Sequence, residues 1–349
     1  MLVTQQKILR RFWYPVLPMD QLADKPVPFT LLGQAIVLWK DADGKPAAAI
    51  DRCCHRTAKL SKGFCTAEGR IACGYHGWEF DGTGQCTRIP QWKDASRTPK
   101  FKIDAYHAKE RYGFVWVALE DPMFDIPEIP EASDPSFRRI PEFYEPWNVN
   151  ALRVLENAFD NAHFTYVHKS SFGDPDPTPS EMTYEEFPWG FRTHSIVRVQ
   201  NPDLQKKNLG IEEGMTTRDN TRTWFMPFFR QLRIRYPNGL VHCIQTGATP
   251  IDDTRSQLVQ FVYRNDSEAE TPAASVVAFD RQVTGEDREI LEATEFDVPL
   301  EATSGEEFHM PSDKPGMLMR RRFISLLAEA GEKEIRVATK PETPRHAAE

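Results

Sequence analysis

Two short runs that mix cysteine with histidine constrain this chain more than any other feature. One run is Cys53-Cys54-His55; the other, after seventeen intervening residues, is Cys73-Gly74-Tyr75-His76. Each offers one thiolate and one imidazole from a short loop. The neighbourhood favours loops carried on strands. Asp51-Arg52 follows the apolar run Pro46 to Ile50, and Gly74, Gly77, Gly82 and Gly84 allow tight turns around the second run.

Two thiolates and two imidazoles are the ligand set of a Rieske [2Fe–2S] centre, where two His replace two Cys on one iron and raise the reduction potential. A structural zinc site is also Cys₂His₂. Zinc ribbons and fingers usually pair Cys with Cys and His with His, whereas each run here mixes the types. Tyr75 and Trp78 stand where they can shield the sulfurs or simply fill a core. Cys54, Cys65, Cys86 and Cys243 are not required as ligands, and Cys54 is expected to be bystander packing.

A second constellation begins with Glu156-Asn157-Ala158-Phe159-Asp160-Asn161-Ala162-His163, with His168 five residues on. Two His and one carboxylate, with other positions free, is the pattern of non-haem Fe(II) oxygenases. At about 100° per residue the two His lie about 140° apart on an ideal helix, so they cannot share one face of it. The spacing predicts a π-bulge, an unwound turn or a helix end between them. The third ligand comes from elsewhere, and a helical stretch at about 276–296 offers it. Phe279, Val283, Ile290, Leu291 and Thr294 fall on one arc of the wheel, with Asp287 inside it and Glu289 and Glu292 outside. A carboxylate facing a core is neutralised, hydrogen-bonded or metal-bound. Asp280 also reaches the arc but can merely start the helix, Glu286 sits on its edge, and a carboxylate early in the helix can serve only the dipole. Asp160, one turn before His163, is placed to orient a ligand His.

The segment Asp51 to Arg56 through Cys73 to Trp78 resembles the Rieske non-haem iron oxygenases, as do Arg11-Phe12-Trp13-Tyr14-Pro15-Val16 and Glu110-Arg111-Tyr112-Gly113-Phe114-Val115-Trp116. The likeness runs over most of the chain. It is nearest to the monooxygenase branch with caffeine N-demethylases and saxitoxin-pathway hydroxylases. Cys54 and Gly74 depart from that family, which commonly has Pro or a small residue at the first and Pro at the second. The resemblance implies a [2Fe–2S] cluster on Cys53, His55, Cys73 and His76 and mononuclear Fe(II) on His163, His168 and Asp287. In the family the Glu-Asp pair of this helix ends with the iron-binding Asp, matching Glu286-Asp287. It implies O₂ as co-substrate and electrons from NAD(P)H through a flavin/iron–sulfur reductase or ferredoxin. It further implies a head-to-tail homotrimer, with Asp160 linking His163 or His168 to His55 or His76 of a neighbour, and Asn157 near the iron.

The fold class that follows is α+β: an all-β Rieske domain, then an antiparallel-sheet helix-grip catalytic domain of START-like form. The domain reading is residues 1–120, a proline-rich extended connector over 121–146, a catalytic domain over 147–335 and a mobile polar tail over 336–349. Strands are expected at Val16-Leu17, Phe29 to Trp39 (one strand or two), Ala47 to Ile50, Ile71-Ala72, Phe114 to Leu119, Phe191 to Val199, Thr221 to Phe229, Gln231 to Tyr236, Leu240 to Thr249 and Ser256 to Arg264. The segments 173–180 and 201–220 read as loops that can cover a site or merely connect. Trp224, Phe225, Met226, Phe228 and Phe229 can line a pocket for a flat ring or fill a core. Arg222, Arg230 and Arg233 can meet an anionic substrate or lie on solvated edges.

A formal charge of −8 and a pI near 5.7 argue against a nucleic-acid surface, and no apolar run approaches a membrane span. Six cysteines without staple spacing fit a reducing cytoplasm. Arg52, Arg56, Lys59 and Lys62 can greet an acidic reductase or form a solvated basic face. The rival readings are a Rieske electron carrier with an appended binding domain, and a zinc-stabilised protein whose helix-grip domain binds an apolar ligand.

Overall fold

The computed structural model describes residues 1–92 and 100–337, so the tail from 338 onward lies outside the described residues. The first half is all β. Strands β1 (Tyr14–Pro18), β2 (Val27–Leu31), β3 (Gln34–Lys40), β4 (Pro46–Ile50), β9 (Ala105–Arg111) and β10 (Phe114–Ala118) form one antiparallel sheet in the order β1-β10-β9-β4-β3-β2. The run from Phe29 to Trp39 is two strands, because Leu32 and Gly33 both adopt positive φ (51° and 75°) and close a two-residue hairpin. Strand β9 escaped the sequence reading: Ala105–Arg111 is mostly polar and has no apolar alternation to betray it. A smaller sheet, β5 (Phe64–Cys65), β6 (Ile71–Ala72), β7 (Glu79–Phe80) and β8 (Cys86–Arg88), presents the two Cys/His loops.

The second half is a seven-stranded antiparallel sheet gripped by helices, ordered β11-β17-β16-β15-β14-β13-β12. Its strands are β11 (Arg138–Trp147), β12 (Thr183–Phe187), β13 (Gly190–Gln200), β14 (Met215–Phe225), β15 (Phe229–Arg235), β16 (Val241–Pro250) and β17 (Ser256–Arg264). Helices α1 (Ala151–Phe159), α2 (Phe164–Val167), α3 (Asp203–Leu209), α4 (Ala273–Leu291) and α5 (Lys314–Glu329) complete it. Two stretches differ from expectation. From Arg138 the proline-rich segment is an edge strand, which tolerates Pro141 and Pro146 because one side of an edge needs no ladder donors, and the register shifts between Pro141 and Phe143. Segment 201–220 is a short helix and the first half of β14 rather than a loop.

The two halves share one apolar core. Leu9, Phe12 and Val117 cluster with Leu152, Leu155, Phe159 and Phe323, while a separate cluster around Trp39, Ile71, Cys53 and Cys73 backs the Cys/His loops. The seam is tight. Thr249 Oγ1 donates to the Pro15 carbonyl at 2.6 Å and the Tyr144 hydroxyl to the Val16 carbonyl at 2.7 Å. A Cβ on Gly247 would lie 2.9 Å from the Pro15 ring. In α4 the inward ridge steps through Val276, Asp280, Val283, Asp287 and Leu291. Ile290, expected on that arc, is 53 % exposed, and Thr294 lies beyond the helix.

Candidate metal centres and the adjoining cavity

The two Cys/His loops are built alike. The Cys53 amide donates to the Ala58 carbonyl at 2.8 Å, and the Cys53 carbonyl accepts from Thr57 at 3.0 Å. In the second loop the Cys73 amide donates to Trp78 at 2.8 Å, and the Cys73 carbonyl accepts from Gly77 at 2.8 Å. Thr57 and Gly77 both take left-handed φ (59° and 69°), so each loop turns back four residues after its cysteine. Thr57 carries that turn against its β-branched preference, and no sequence signal marked it. Asp51 fixes the first loop through the Ser61 amide and hydroxyl, each at 2.7 Å.

Cys53 and Cys73 are buried, while His55 and His76 are partly exposed with ring centroids 4.6 Å apart. Burial pushes the Cys53 thiol up to about 12, so a thiolate there requires a nearby cation. His55 Nδ1 is buried without a hydrogen-bond partner. Thiolates inside and imidazoles outside, with an orphaned ring nitrogen, suit a cluster whose two irons have different ligands. Trp78 stacks on His55 at 4.6 Å and 4° and closes the inner side; Tyr75 is 67 % exposed but lies against His76, ring centroids 3.9 Å apart. Cys54, expected as packing, is exposed.

The second constellation converges where α1 ends. Asp160 caps α1 with extended backbone (φ −77°, ψ 143°), and α2 is a single turn with His163 and His168 at its two ends. The predicted break is therefore a helix end, and it brings both imidazoles to one point. Asp287 of α4 meets them there. His163 Nε2 and His168 Nε2 are 3.2 Å apart, and Asp287 Oδ1 is 3.5 Å from the first and 3.2 Å from the second. One ligand atom from each of the three lies within 4.8 Å of the others. Both Nδ1 atoms are already engaged, His163 by Asp160 Oδ2 at 3.0 Å and His168 by Glu286 Oε2 at 2.9 Å. With Nδ1–H donating to a carboxylate, each neutral ring turns an Nε2 lone pair inward. Two lone pairs at that separation repel unless a cation sits between them, and the buried Asp287 Oδ1 receives no well-formed hydrogen bond. The three side chains fit a single metal ion.

Electrostatics agree. Burial opposes charge on His163, but Asp160 and Asp287 push its pKa up to about 9 when no metal competes. Burial likewise opposes a charged Asp287, yet His163 and His168 hold it well below the usual carboxylate range. Glu286 is kept low against its burial by Ser170 and Ser171 (each 2.6 Å) and by His168. Its position on the helix edge gave no hint of this role, because Ser170 and Ser171 reach it from a different segment.

A cavity of about 120 Å³ opens beside this point, bounded by α1, α2, α4 and the inner face of the sheet, with Asn157 on its wall. The aromatic strand does not line it: Trp224, Met226 and Phe228 are buried in the shared core, and Phe229 in another cluster. Trp147, Phe164, Phe172, Tyr236 and Phe279 supply its aromatic rings instead. Asp280 does not start a helix; it is buried in α4, 3.3 Å from His242. Arg222 and Arg230 face the cavity rather than solvent, joined by Arg218, whereas Arg233 pairs with Glu131 at 3.1 Å. Arg320 binds Glu156 (2.5 Å) and Glu307 (2.6 Å) behind α1.

Comparison with known proteins identifies the family. The Rieske [2Fe–2S] domain family matches residues 12–102, and the vanillate O-demethylase oxygenase C-terminal domain family matches residues 147–329. Methylxanthine N3-demethylase NdmB of Pseudomonas putida is 30 % identical over 96 % of this chain and 95 % of its own. The solved structure of NdmA from Pseudomonas putida CBB5 superposes with a TM-score of 0.79 at 27 % identity, covering 94 % of this chain and 93 % of that one. Dicamba monooxygenase bound to 3,6-dichlorosalicylic acid shares the fold, with a TM-score of 0.81 at 23 % identity over 93 % of this chain and 99 % of that one. The chain belongs to the Rieske non-haem iron oxygenases, as an oxygenase alpha subunit. It is a monooxygenase component with a [2Fe–2S] cluster and a mononuclear iron, acting on a small substrate with electrons from a separate reductase or ferredoxin. No helix among the described residues is long and apolar enough to cross a membrane.

Proposed function

We propose that this oxygenase removes a methyl group from nitrogen or oxygen on a small aromatic or heteroaromatic ring. Cys53, His55, Cys73 and His76 hold the cluster, and His163, His168 and Asp287 hold the lone iron. The observation that carries the reading is the convergence of two Nε2 atoms and Asp287 Oδ1 on the wall of a ring-sized cavity. When bound, the two metal groups together supply electrons one at a time and the reduction of dioxygen.

The chain's residues do the rest. Asp160 and Glu286 fix the orientation and tautomer of the two imidazoles through Nδ1. Phe164, Phe172 and Phe279 exclude water and hold a flat ring with a methyl carbon toward the triad. Asn157 adds a polar group to the same wall. Insertion of one oxygen atom of O₂ into a methyl C–H bond, with the other atom leaving as water at the expense of two reductase electrons and two protons, gives an N- or O-hydroxymethyl product, which loses formaldehyde and leaves the ring N–H or O–H.

The assembly in this reading is a cytoplasmic head-to-tail homotrimer, and heterologous contacts of that kind close into rings. Asp160 then serves as the bridge from His163 to His55 or His76 of a neighbour. Asp160 lines a surface depression with Arg153, His309 and Met317, open to an approaching subunit. Arg52, Arg56, Lys59 and Lys62 are exposed around the cluster loops and form the face for an acidic electron donor.

The test is turnover with an NADH-linked reductase across methylxanthines and methoxyarenes, following formaldehyde and oxygen together. Formaldehyde matched to oxygen consumed supports the reading. A cluster that reduces and reoxidises with no product from any methylated ring would favour the electron-carrier alternative.

A further inference from the structure

Three carboxylates crowd the lone-metal site. Asp287 is one of the triad, while Asp160 and Glu286 hold the two imidazoles by Nδ1. All three are held low against their burial by the groups that hydrogen-bond to them. Two arginines face them from the cavity wall. Arg222 of β14 lies opposite Leu232 and Arg230 of β15 opposite Trp224, so the two are diagonal neighbours on one face of the strand pair. Neither forms an ion pair among the described residues, and each has a buried Nε without a partner. Burying a guanidinium without a paired anion is strongly unfavourable.

Their surroundings put both at the triad end of the cavity. Arg222, 2 % exposed, lies over the Phe164 ring at 5.9 Å, and that ring meets His163 at 4.8 Å and His168 at 5.7 Å. Arg230 donates to the Ala158 carbonyl at 3.3 Å, in the last turn of α1, and to Thr246 Oγ1 at 2.9 Å. Burial pulls the two guanidinium groups down to about 9 and about 10, opposed by Asp160 at Arg222 and by Asp287 at Arg230. Both therefore keep their charge near neutral pH. The cavity's other carboxylate, Asp280, lies two turns away along α4, beside His242 at 3.3 Å. Arg218 sits at that end: it lies over Tyr236 at 5.7 Å, and Tyr236 and His242 both feel Arg218 and Asp280.

We propose that Arg222 and Arg230 act on the lone metal by charge, offsetting Asp160, Glu286 and Asp287 so that a bound iron rests in its ferrous form. The proposal rests on the assignment of His163, His168 and Asp287 as metal ligands. A divalent ion among three carboxylates leaves a net negative shell, which favours the ferric form. Two nearby guanidinium groups make the shell net positive, and each further positive charge on the metal is then penalised. The penalty is larger for Fe(III) than for Fe(II). The one-electron couple shifts toward Fe(II), the electron coming from the cluster and no proton being required. The ferrous ion is the form that uses oxygen in sites of this ligand set. Arg230 also bonds the negative end of the α1 dipole, which makes a purely mechanical clamp the rival role. The two roles differ in sign: losing a clamp loosens the triad and weakens metal binding, whereas losing a repelling charge tightens it.

The test is anaerobic competition for Fe(II) against a chelator, on the full chain with its cluster intact. The midpoint potential of the lone iron, followed by the ferric EPR signal, is measured alongside. Arg230→Gln keeps an amide donor for Ala158 and Thr246 but loses the charge, and Arg230→Lys keeps the charge. Arg230→Gln is expected to bind Fe(II) at least about tenfold tighter, the scale of one unit charge acting across a few ångströms of protein, and to lower the midpoint. Arg230→Lys is expected to stay near wild type in both. Arg222→Gln, on the neighbouring strand, is expected to move both readings as Arg230→Gln does, and it carries the test if the Arg230 variant fails to fold. Fe(II) affinity that is unchanged or weaker in a Gln variant overturns the proposal, as does a midpoint that is unchanged or higher. So does an Arg230→Lys variant that behaves like Arg230→Gln. Wild-type protein that takes up no iron beyond its cluster would sink the metal assignment itself. Iron bound at the triad and indifferent to these charges would sink only the proposal.

Discussion

Replacing Glu286 perturbs the lone-iron site without touching a ligand. Its carboxylate accepts from His168 Nδ1 at 2.9 Å, from Ser170 and Ser171 at 2.6 Å each, and from Gln282 at 3.3 Å. It therefore sets the tautomer of His168 and ties the segment after α2 to α4. Outer partners of metal-binding histidines are typically worth about 10- to 100-fold in metal affinity. Glu286→Gln keeps an acceptor for Nδ1–H but loses the charge and must turn an amide donor toward the serine hydroxyls. The lower figure applies, about tenfold or ~1.4 kcal/mol. Glu286→Ala leaves Nδ1–H unpartnered, so His168 can present the wrong tautomer, and the upper figure applies, about 100-fold or ~2.7 kcal/mol. The assay is competition for Fe(II) against a chelator of known affinity under anaerobic conditions, with cluster absorbance as an internal control. Affinity within a factor of about two of wild type in both variants, where loss of the outer partner predicts at least tenfold, would refute the reasoning.

Three further outcomes follow from the same geometry. In metal-free protein the raised His163 pKa stabilises the fold fully below its ordinary value of 6.5, and that contribution fades as pH rises through about 9. Metal binding near neutral pH should accordingly release about one proton, seen by calorimetry in buffers of different ionisation enthalpy; release that is absent at pH 7 contradicts the assignment. Arg320→Ala leaves Glu156 and Glu307 short of a buried partner. It should cost about 3 kcal/mol in denaturant unfolding, the low end for breaking a buried pair because Arg153 still contacts both. Trp224→Leu removes a core ring packed on Phe191 and Phe323. It should lower stability by about 2–3 kcal/mol and leave substrate affinity unchanged; a large loss of affinity with intact stability would return that strand to the cavity.

The candidate ligand residues were legible because metal chemistry restricts residue type and spacing. His163 and His168 could not share a regular helix, and the chain resolves this by ending α1 at Phe159 and placing one short turn between them. Asp287 was legible from its place on an apolar arc. Residues that act through the ligands were harder to read. Glu286 is defined by Ser170, Ser171 and His168, more than a hundred positions away, and that pairing exists only in the fold. Arg218 lay in a stretch read as breaker-rich loop, and only the pairing of β13 with β14 turns it inward. The aromatic residues of 224–229 had two possible destinations, core and cavity, and hydrophobicity alone does not distinguish them. Strand β11 was hidden by its own prolines, which an edge position accommodates.

Iron stoichiometry in Asp287→Ala tests the central claim most directly. Wild-type protein should hold about three irons per chain, two in the cluster and one at the triad. The variant should fall to about two, with unchanged cluster absorption and no substrate-coupled oxygen uptake. A variant that keeps the third iron and its coupled turnover would contradict the assignment of His163, His168 and Asp287 as the site where oxygen is used.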